Sequence, residues 1–307
     1  MKHLISLFDT ATEEIEEIFG LSRRLKKELR EGTQHPMLKG KTLGMIFSKS
    51  STRTRVSFEV GMYQLGGYPL FLSSSDIQLG RGETIYDTAQ VLSRYISGIM
   101  IRTFKHSDVE DLARYGNIPV INGLTDLMHP CQILADLFTV LEVKGRLKGL
   151  KMAYVGDGNN VANSLLHGCA KVGMDISVAA PEGYGCDERI IEEARFDAGK
   201  SGSSVIITHD PAEAVKNADV VYTDTWVSMG QEAEKEMRQR TFMPYQVNDR
   251  LFSGAKSDAI FLHCLPAYRG LEVTEDIIDG PRSLVFEEAE NRLHVQKAIM
   301  AILMADR

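Results

Sequence analysis

Ser51-Thr52-Arg53-Thr54-Arg55 gathers hydroxyls and two guanidinium groups into one short run. It lies where an apolar, strand-like stretch ending at Phe47 gives way to a helix-like stretch opening Val56-Ser57-Phe58. The first turn of a helix carries backbone N–H groups without intrahelical partners and a partial positive charge, so it attracts anions. Guanidinium forks and hydroxyls add the donors that a phosphate dianion needs. The run reads as a phosphate clamp, with a capped helix bearing solvated arginines as the plainer alternative.

In open α/β sheets ligands gather at the carboxyl ends of the strands, and other chemistry-bearing residues of this chain fall at such exits. Arg102 ends an apolar run, where a guanidinium is costly to leave unpaired. His129-Pro130-Cys131-Gln132 sets proline at a helix N1 position between polar side chains, so His129 is either a site residue or a cap. Gly156-Asp157-Gly158-Asn159-Asn160 could open a dinucleotide fingerprint, but Val161 stands in place of the third glycine and no ribose-binding acid is evident. The same turn would expose an asparagine amide at a helix start.

Asp224-Thr225-Trp226-Val227-Ser228-Met229-Gly230 places a carboxylate near a hydroxyl on a Gly-hinged loop, which suits the α-ammonium and carboxylate of an amino acid. Read plainly, Asp224 is a helix cap and Trp226 is core. His263-Cys264-Leu265-Pro266 closes a further strand. Together with His129 and Cys131 it could be imagined as a zinc site, but the pairs sit on separate strand exits, and we expect no metal and no cofactor. Glu287, Glu288, Glu290, Asn291 and Arg292 start a last helix, where charges ordinarily form a solvated face.

Such exits require sheets to hold them. The chain has 307 residues, 43% of them hydrophobic, which is enough for two domains with a core each. Thr10-x-x-Glu13 has the form of a capping box ahead of apolar positions at helical spacing, which predicts a first helix. Short β-prone runs near 43–47, 68–72, 98–102 and 118–122 alternate with helical stretches near 53–65, 83–96, 107–115 and 131–143. Beyond the polar break at 144–149 the alternation restarts, with strands near 151–155, 175–180, 204–208, 219–223 and 259–263. The helices there fall at about 161–172, 187–199, 211–217 and 231–240. The pattern predicts an α/β protein of two Rossmann-like domains with parallel sheets and a substrate cleft between them. Residues 1–146 would form the first domain and 147–286 the second, with a final helix at about 287–307 packing back on the first.

A net charge of −7 argues against a generally basic nucleic-acid surface, so phosphate binding must be local. The N-terminus has no signal-peptide pattern, no apolar run approaches membrane-spanning length, and four scattered cysteines form no CxxC pair. A cytoplasmic protein without nucleic-acid or membrane partners is expected.

Taken together and in order, the segments resemble the carbamoyltransferases. Phe47-x-Lys49-x-Ser51-Thr52-Arg53-Thr54 is similar to that family's carbamoyl-phosphate signature, while His129-Pro-Cys-Gln132, Asp224-x-x-x-Ser228-Met229-Gly230 and His263-Cys264-Leu265-Pro266 resemble its ornithine branch. The resemblance implies that Ser51, Thr52, Arg53, Thr54, Arg102 and Arg292 hold phosphate, and that His129, Arg102 and Thr54 aim donors at the carbonyl oxygen. It further implies that Gln132 and the backbone of Cys264 and Leu265 hold the carbamoyl NH2. Gln78 would reach a neighbouring subunit's site in a homotrimer or a multiple of trimers. Asn160, Asp224, Ser228 and Met229 would hold L-ornithine, with Cys264 close to its side-chain amine. An amine other than ornithine, such as putrescine or an N-acylated ornithine, is the alternative acceptor.

Overall fold

The computed structural model describes residues 1–78, 82–228, 230 and 232–305. In chain order the elements are α1 (Thr12–Arg30), β1 (Thr42–Phe47), α2 (Arg53–Gln64), β2 (Tyr68–Ser73), α3 (Ile85–Tyr95), β3 (Gly98–Arg102), α4 (His106–Tyr115), β4 (Val120–Leu124) and α5 (Pro130–Lys144). They continue with β5 (Lys151–Val155), α6 (Asn160–Val172), β6 (Asp175–Ala179), α7 (Glu188–Ser201), β7 (Val205–Thr208), α8 (Pro211–Val215), β8 (Val220–Tyr222) and α9 (Lys235–Phe242). Last come α10 (Asp249–Phe252), β9 (Ile260–Leu262), α11 (Glu275–Ile278) and α12 (Val285–Met304).

The chain forms two compact units, one of Met1–Ala135 with the residues from Glu290 on, the other of Asp136–Ala289. The division falls inside α5 and α12. The first unit carries a parallel sheet in the order β2-β1-β3-β4 and the second a parallel sheet in the order β7-β6-β5-β8-β9. The expected α/β architecture of two parallel sheets with alternating helices is what the chain adopts.

Strand order reverses between β1 and β3 in the first sheet and between β5 and β8 in the second. Such switch points leave a crevice at the carboxyl edge, because the connections on either side lead away in opposite directions. The runs after β1, β5 and β8 therefore emerge where ligands can be held. Beneath them the first sheet buries Ile46, Ile99, Ile101 and Val120 against Val109 and Leu112 of α4. The second buries Val155, Val221 and Phe261 against Val215, Phe252 and Ile278.

Several local details depart from the sequence reading. β4 starts at Val120 rather than at Ile118, because Pro119 has no N–H for the ladder and contributes only its carbonyl, to Ile99 N–H. The first helix is preceded by Ala11, whose N–H donates to Glu14, while the Thr10 hydroxyl is spent on the Ser6 carbonyl at 2.9 Å. Only the reciprocal half of a capping box forms, one residue on from Thr10 and Glu13, because alanine has no side-chain acceptor. α10 and α11 span a single turn each, too short for a helical period to show in sequence.

Candidate active site

In the first unit the clamp run occupies the junction of β1 and α2. Ser51 Oγ accepts from Thr54 N–H at 3.2 Å, satisfying one donor of the first turn. Thr54 is buried, and its hydroxyl oxygen accepts from two guanidinium groups, Arg102 Nη1 at 3.2 Å and Arg292 Nη2 at 2.9 Å. A hydroxyl has two lone pairs and one proton. With both lone pairs so engaged, the Thr54 O–H is left to act as a donor.

Arg292 also donates from Nη1 to Gln132 Oε1 at 2.7 Å, which fixes the orientation of that amide. Arg102 and Arg292 are both almost fully buried. Proline opens α5 as expected, and the His129 carbonyl accepts the N–H groups of Gln132 and Ile133. Burial holds the His129 imidazole well below its usual pKa, and the cations of Arg292, Arg102 and Arg53 push it the same way. The ring is neutral near pH 7.

Three arginines of the first unit thus surround a neutral histidine, in a chain whose net charge is negative. The second guanidinium of the clamp run is not among them: Arg55 is exposed, pairs with Glu59 at 2.9 Å and stacks over Phe71 at 3.7 Å. Position three of a helix faces away from position one, so the two arginines of the run cannot serve one ligand from the same face. Thr52 is exposed at the helix entry, and Gln78 is exposed in the turns that follow β2.

The charged start of α12 is only partly a solvated face: Glu287 and Glu290 are exposed, whereas the other polar residues turn inward. Glu288, Asn291, Arg292, His294, Gln296 and Lys297 are all buried, with Lys26 donating to Asn291 at 2.7 Å and Lys297 to Gln64 at 2.9 Å. Gly61 of α2 makes room for this helix, since a Cβ there would meet Met300 at 3.0 Å and Lys297 at 3.1 Å.

In the second unit the exits of β5, β8 and β9 converge on Asp224. Its two carboxylate oxygens receive Cys264 Sγ–H at 3.1 Å and Asn159 Nδ2–H at 2.8 Å. Burial drives the Cys264 thiol well above its usual pKa, with Asp224 adding to the shift by charge and by hydrogen bond. The group is a thiol, not a thiolate. Asp224 caps no helix, whereas Trp226 is core, stacked on Phe242. Ser228 is half-buried, and Met229 lies outside the described residues.

Sequence reasoning singled out Asn160, the first residue of α6, and passed over Asn159. Asn159 is the N-cap, with Oδ1 accepting from Val161 and Ala162 N–H, and the remaining amide hydrogens reach Asp224. An asparagine just before a periodic apolar run was the available signal. Arg238 of α9 was also missed: it binds the Trp226 carbonyl at 2.6 Å and the Asp157 carboxylate, joining the loops after β8 and β5.

The two-glycine turn after β5 has a structural cause. A Cβ on Gly158 would lie 2.2 Å from the Gly185 carbonyl carbon and 2.3 Å from Cys186 N, so the close backbone approach is made by this chain's own loop. Members of the imagined zinc set have other partners. Cys131 donates to the Asn122 carbonyl at 3.3 Å and its thiol is pushed up to about 12 by burial. Asp224, His263 and Cys264 do come within metal-ligand range of one another, but His263 Nδ1 accepts from Leu265 N–H and Nε2 faces Glu272.

Residues 2–142 match the family described as aspartate/ornithine carbamoyltransferase, carbamoyl-P binding domain. Residues 148–303 match its Asp/Orn binding domain. The chain is 60% identical to the ornithine carbamoyltransferase of Carboxydothermus hydrogenoformans, over 99% of this chain and 97% of that one. Among solved structures, ornithine carbamoyltransferase from Pyrococcus furiosus aligns with a TM-score of 0.97 at 56% identity, covering 100% of this chain and 98% of that chain. An enzyme described as anabolic ornithine carbamoyltransferase, from Campylobacter jejuni, aligns with a TM-score of 0.92 at 44% identity over 99% of each chain. With both halves matched in order and relatives alike from end to end, the chain belongs to the aspartate/ornithine carbamoyltransferase family.

Proposed function

We propose that this chain transfers the carbamoyl group of carbamoyl phosphate to the δ-amine of L-ornithine, giving L-citrulline and phosphate. The observation that carries the reading is the Thr54 hydroxyl, held by two buried guanidiniums beside a neutral histidine at a helix N-terminus. In this reading Ser51, Thr52, Arg53, Thr54, Arg102 and Arg292 bind the phosphate, where a helix start and charged forks suit a dianion. Thr54, Arg102 and His129 donate to the carbonyl oxygen as it becomes tetrahedral and gains charge. Preorganised donors there contribute about 2.7–4 kcal/mol each. Gln132 and the carbonyls of Cys264 and Leu265 orient the carbamoyl NH2.

Asn160, Asp224, Ser228 and Met229 are the residues proposed to hold ornithine. The attacking amine must be neutral, and a lysine-like pKa of about 10.4 makes deprotonation at pH 7 cost roughly 4.6 kcal/mol. Desolvation in a site lined by arginines lowers that cost, because both effects disfavour the ammonium form. The N–C bond forms as the C–O bond to phosphate breaks, and the departing phosphate takes the amine's proton. Cys264, a protonated thiol bound to Asp224, serves to orient the substrate rather than attack it.

The wider setting is part of the same proposal. A role in arginine biosynthesis accords with the Campylobacter relative's description as anabolic. Assembly as a homotrimer with Gln78 serving a neighbouring site is supported by the apolar outer face of α2, where Val56 and Tyr63 are 52% and 77% exposed. A cytoplasmic location accords with four free cysteines. No described helix is long and apolar enough to cross a membrane. A colorimetric citrulline assay offering ornithine, putrescine, aspartate and N-acetylornithine tests the acceptor. Turnover with putrescine or N-acetylornithine in preference to ornithine would overturn the reading, and light scattering tests the trimer.

A further inference from the structure

His263 takes no part in the reaction as proposed, yet its Nδ1 is engaged and its Nε2 lies beside a buried carboxylate. The residue is fully buried, and its Nδ1 accepts from Leu265 N–H at 2.9 Å. A ring nitrogen that accepts carries no proton, so the imidazole hydrogen sits on Nε2, which faces Glu272 Oε1 at 3.3 Å. That carboxylate oxygen also accepts from Tyr268 N–H at 2.5 Å. The N–H of His263 itself goes to Glu288 Oε2 at 2.9 Å. Glu272 is almost wholly buried, and its carbonyl accepts from Val247 N–H at 2.9 Å, so it is not free to follow a moving loop.

Glu272 therefore flanks the segment from Cys264 to Ala267, accepting from Tyr268 N–H after it and lying 3.3 Å from the His263 ring before it. Within the segment Leu265 has φ +57°, in the left-handed region. An L side chain there is disfavoured and persists only where its surroundings over-determine it. The His263 bond acts on the peptide that matters. A trans peptide is planar, so directing Leu265 N–H at His263 directs the Cys264 carbonyl the opposite way.

We infer that His263 and Glu272 are positioning residues: through the Leu265 N–H they aim the backbone carbonyl of Cys264 at the carbamoyl NH2. The inference rests on the carbamoyltransferase reading above, in which that carbonyl accepts from that group. Neither residue touches substrate.

The test exploits the two nitrogens separately. An asparagine side chain places Oδ1 where it accepts from the N–H two residues on, as in an Asx-turn, and so reproduces the Nδ1 bond. Glutamine reaches toward Glu272 without offering that acceptor. Full-length wild type, His263→Asn, His263→Gln and Glu272→Gln are compared in the citrulline assay, with thermal melts and with inhibition by inorganic phosphate as a separate measure of the phosphate clamp.

We expect kcat/KM for carbamoyl phosphate within about three-fold of wild type for His263→Asn. We expect a loss of at least ten-fold for His263→Gln and an intermediate loss for Glu272→Gln, with phosphate inhibition unchanged throughout. Equal activity of the Asn and Gln variants, at any level, overturns the inference. So does a His263→Asn protein more than ten-fold impaired, folded or not, because it retains the bond held to matter. Wild type that makes no citrulline overturns the underlying reading before any variant is compared.

Discussion

Replacing Thr54 by valine keeps the shape of the side chain and deletes one oxygen. That oxygen accepts from Arg102 at 3.2 Å and from Arg292 at 2.9 Å. Hydrogen bonds to charged groups contribute about 1.5–3 kcal/mol each, so losing both costs up to roughly 3–6 kcal/mol of stability. Arg292 keeps its bond to Gln132, which places the expected loss near the lower end, at about 3 kcal/mol. The effect on turnover is a separate quantity. If the Thr54 proton is donated to the developing oxyanion, its removal lowers kcat by about 10²–10³, with kcat/KM falling in parallel because the bond strengthens only in the transition state. Citrulline formation is measured below the variant's melting temperature, with Thr54→Ser alongside; the serine enzyme, which keeps the hydroxyl, should stay within about ten-fold of wild type. A folded Thr54→Val enzyme with kcat within about ten-fold of wild type would refute the argument that two occupied lone pairs compel this hydroxyl to donate.

Gly158→Ala forces a Cβ onto the backbone of Gly185 and Cys186, which cannot yield as a side chain tip would; we expect a loss of about 3 kcal/mol and a melting temperature lower by about 6–12 °C, read by circular dichroism. His129 has its pKa lowered on folding, so below pH 6.5 the unfolded chain takes up a proton that the folded chain refuses, and stability falls with the pH. In His129→Gln the loss of stability between pH 7 and pH 5 should therefore be smaller than in wild type, as followed by urea unfolding at each pH. Because the Cys264 thiol is driven upward by burial and Asp224, its alkylation by iodoacetamide at pH 7.5 should be much slower than that of free cysteine, and Cys264→Ser should retain measurable turnover in the citrulline assay. Arg53→Ala should abolish that turnover, whereas Arg55→Ala, whose guanidinium lies on Phe71 and Glu59, should leave it within about three-fold.

The alternation of strands and helices was legible because it is written in local periodicity. A parallel strand buried on both faces reads as a short apolar run, and an amphipathic helix repeats every 3.6 residues. Nine strands were placed within about two residues by that means, and Pro130 marked the start of α5. The chemistry-bearing runs were also local, since clamp, loop and strand exit are each contiguous in the chain, and their resemblance to one family gave them roles.

What the sequence could not settle is which neighbours meet. Thr54 and Arg292 are 238 positions apart, and nothing near either residue announces that one hydroxyl unites two guanidiniums. The same holds for Glu288 and Arg292, which read as solvated charges yet are buried among polar partners. Arg55 looked like the twin of Arg53 until helical geometry turned it toward Phe71. Gly158 read as part of an incomplete dinucleotide fingerprint, and only the fold shows a loop of the same chain filling the space beside it. Composition and spacing determine which elements form, because those depend on neighbours a few residues away. Burial, pKa and hydrogen-bond partners are set by packing, which joins residues that the chain keeps far apart.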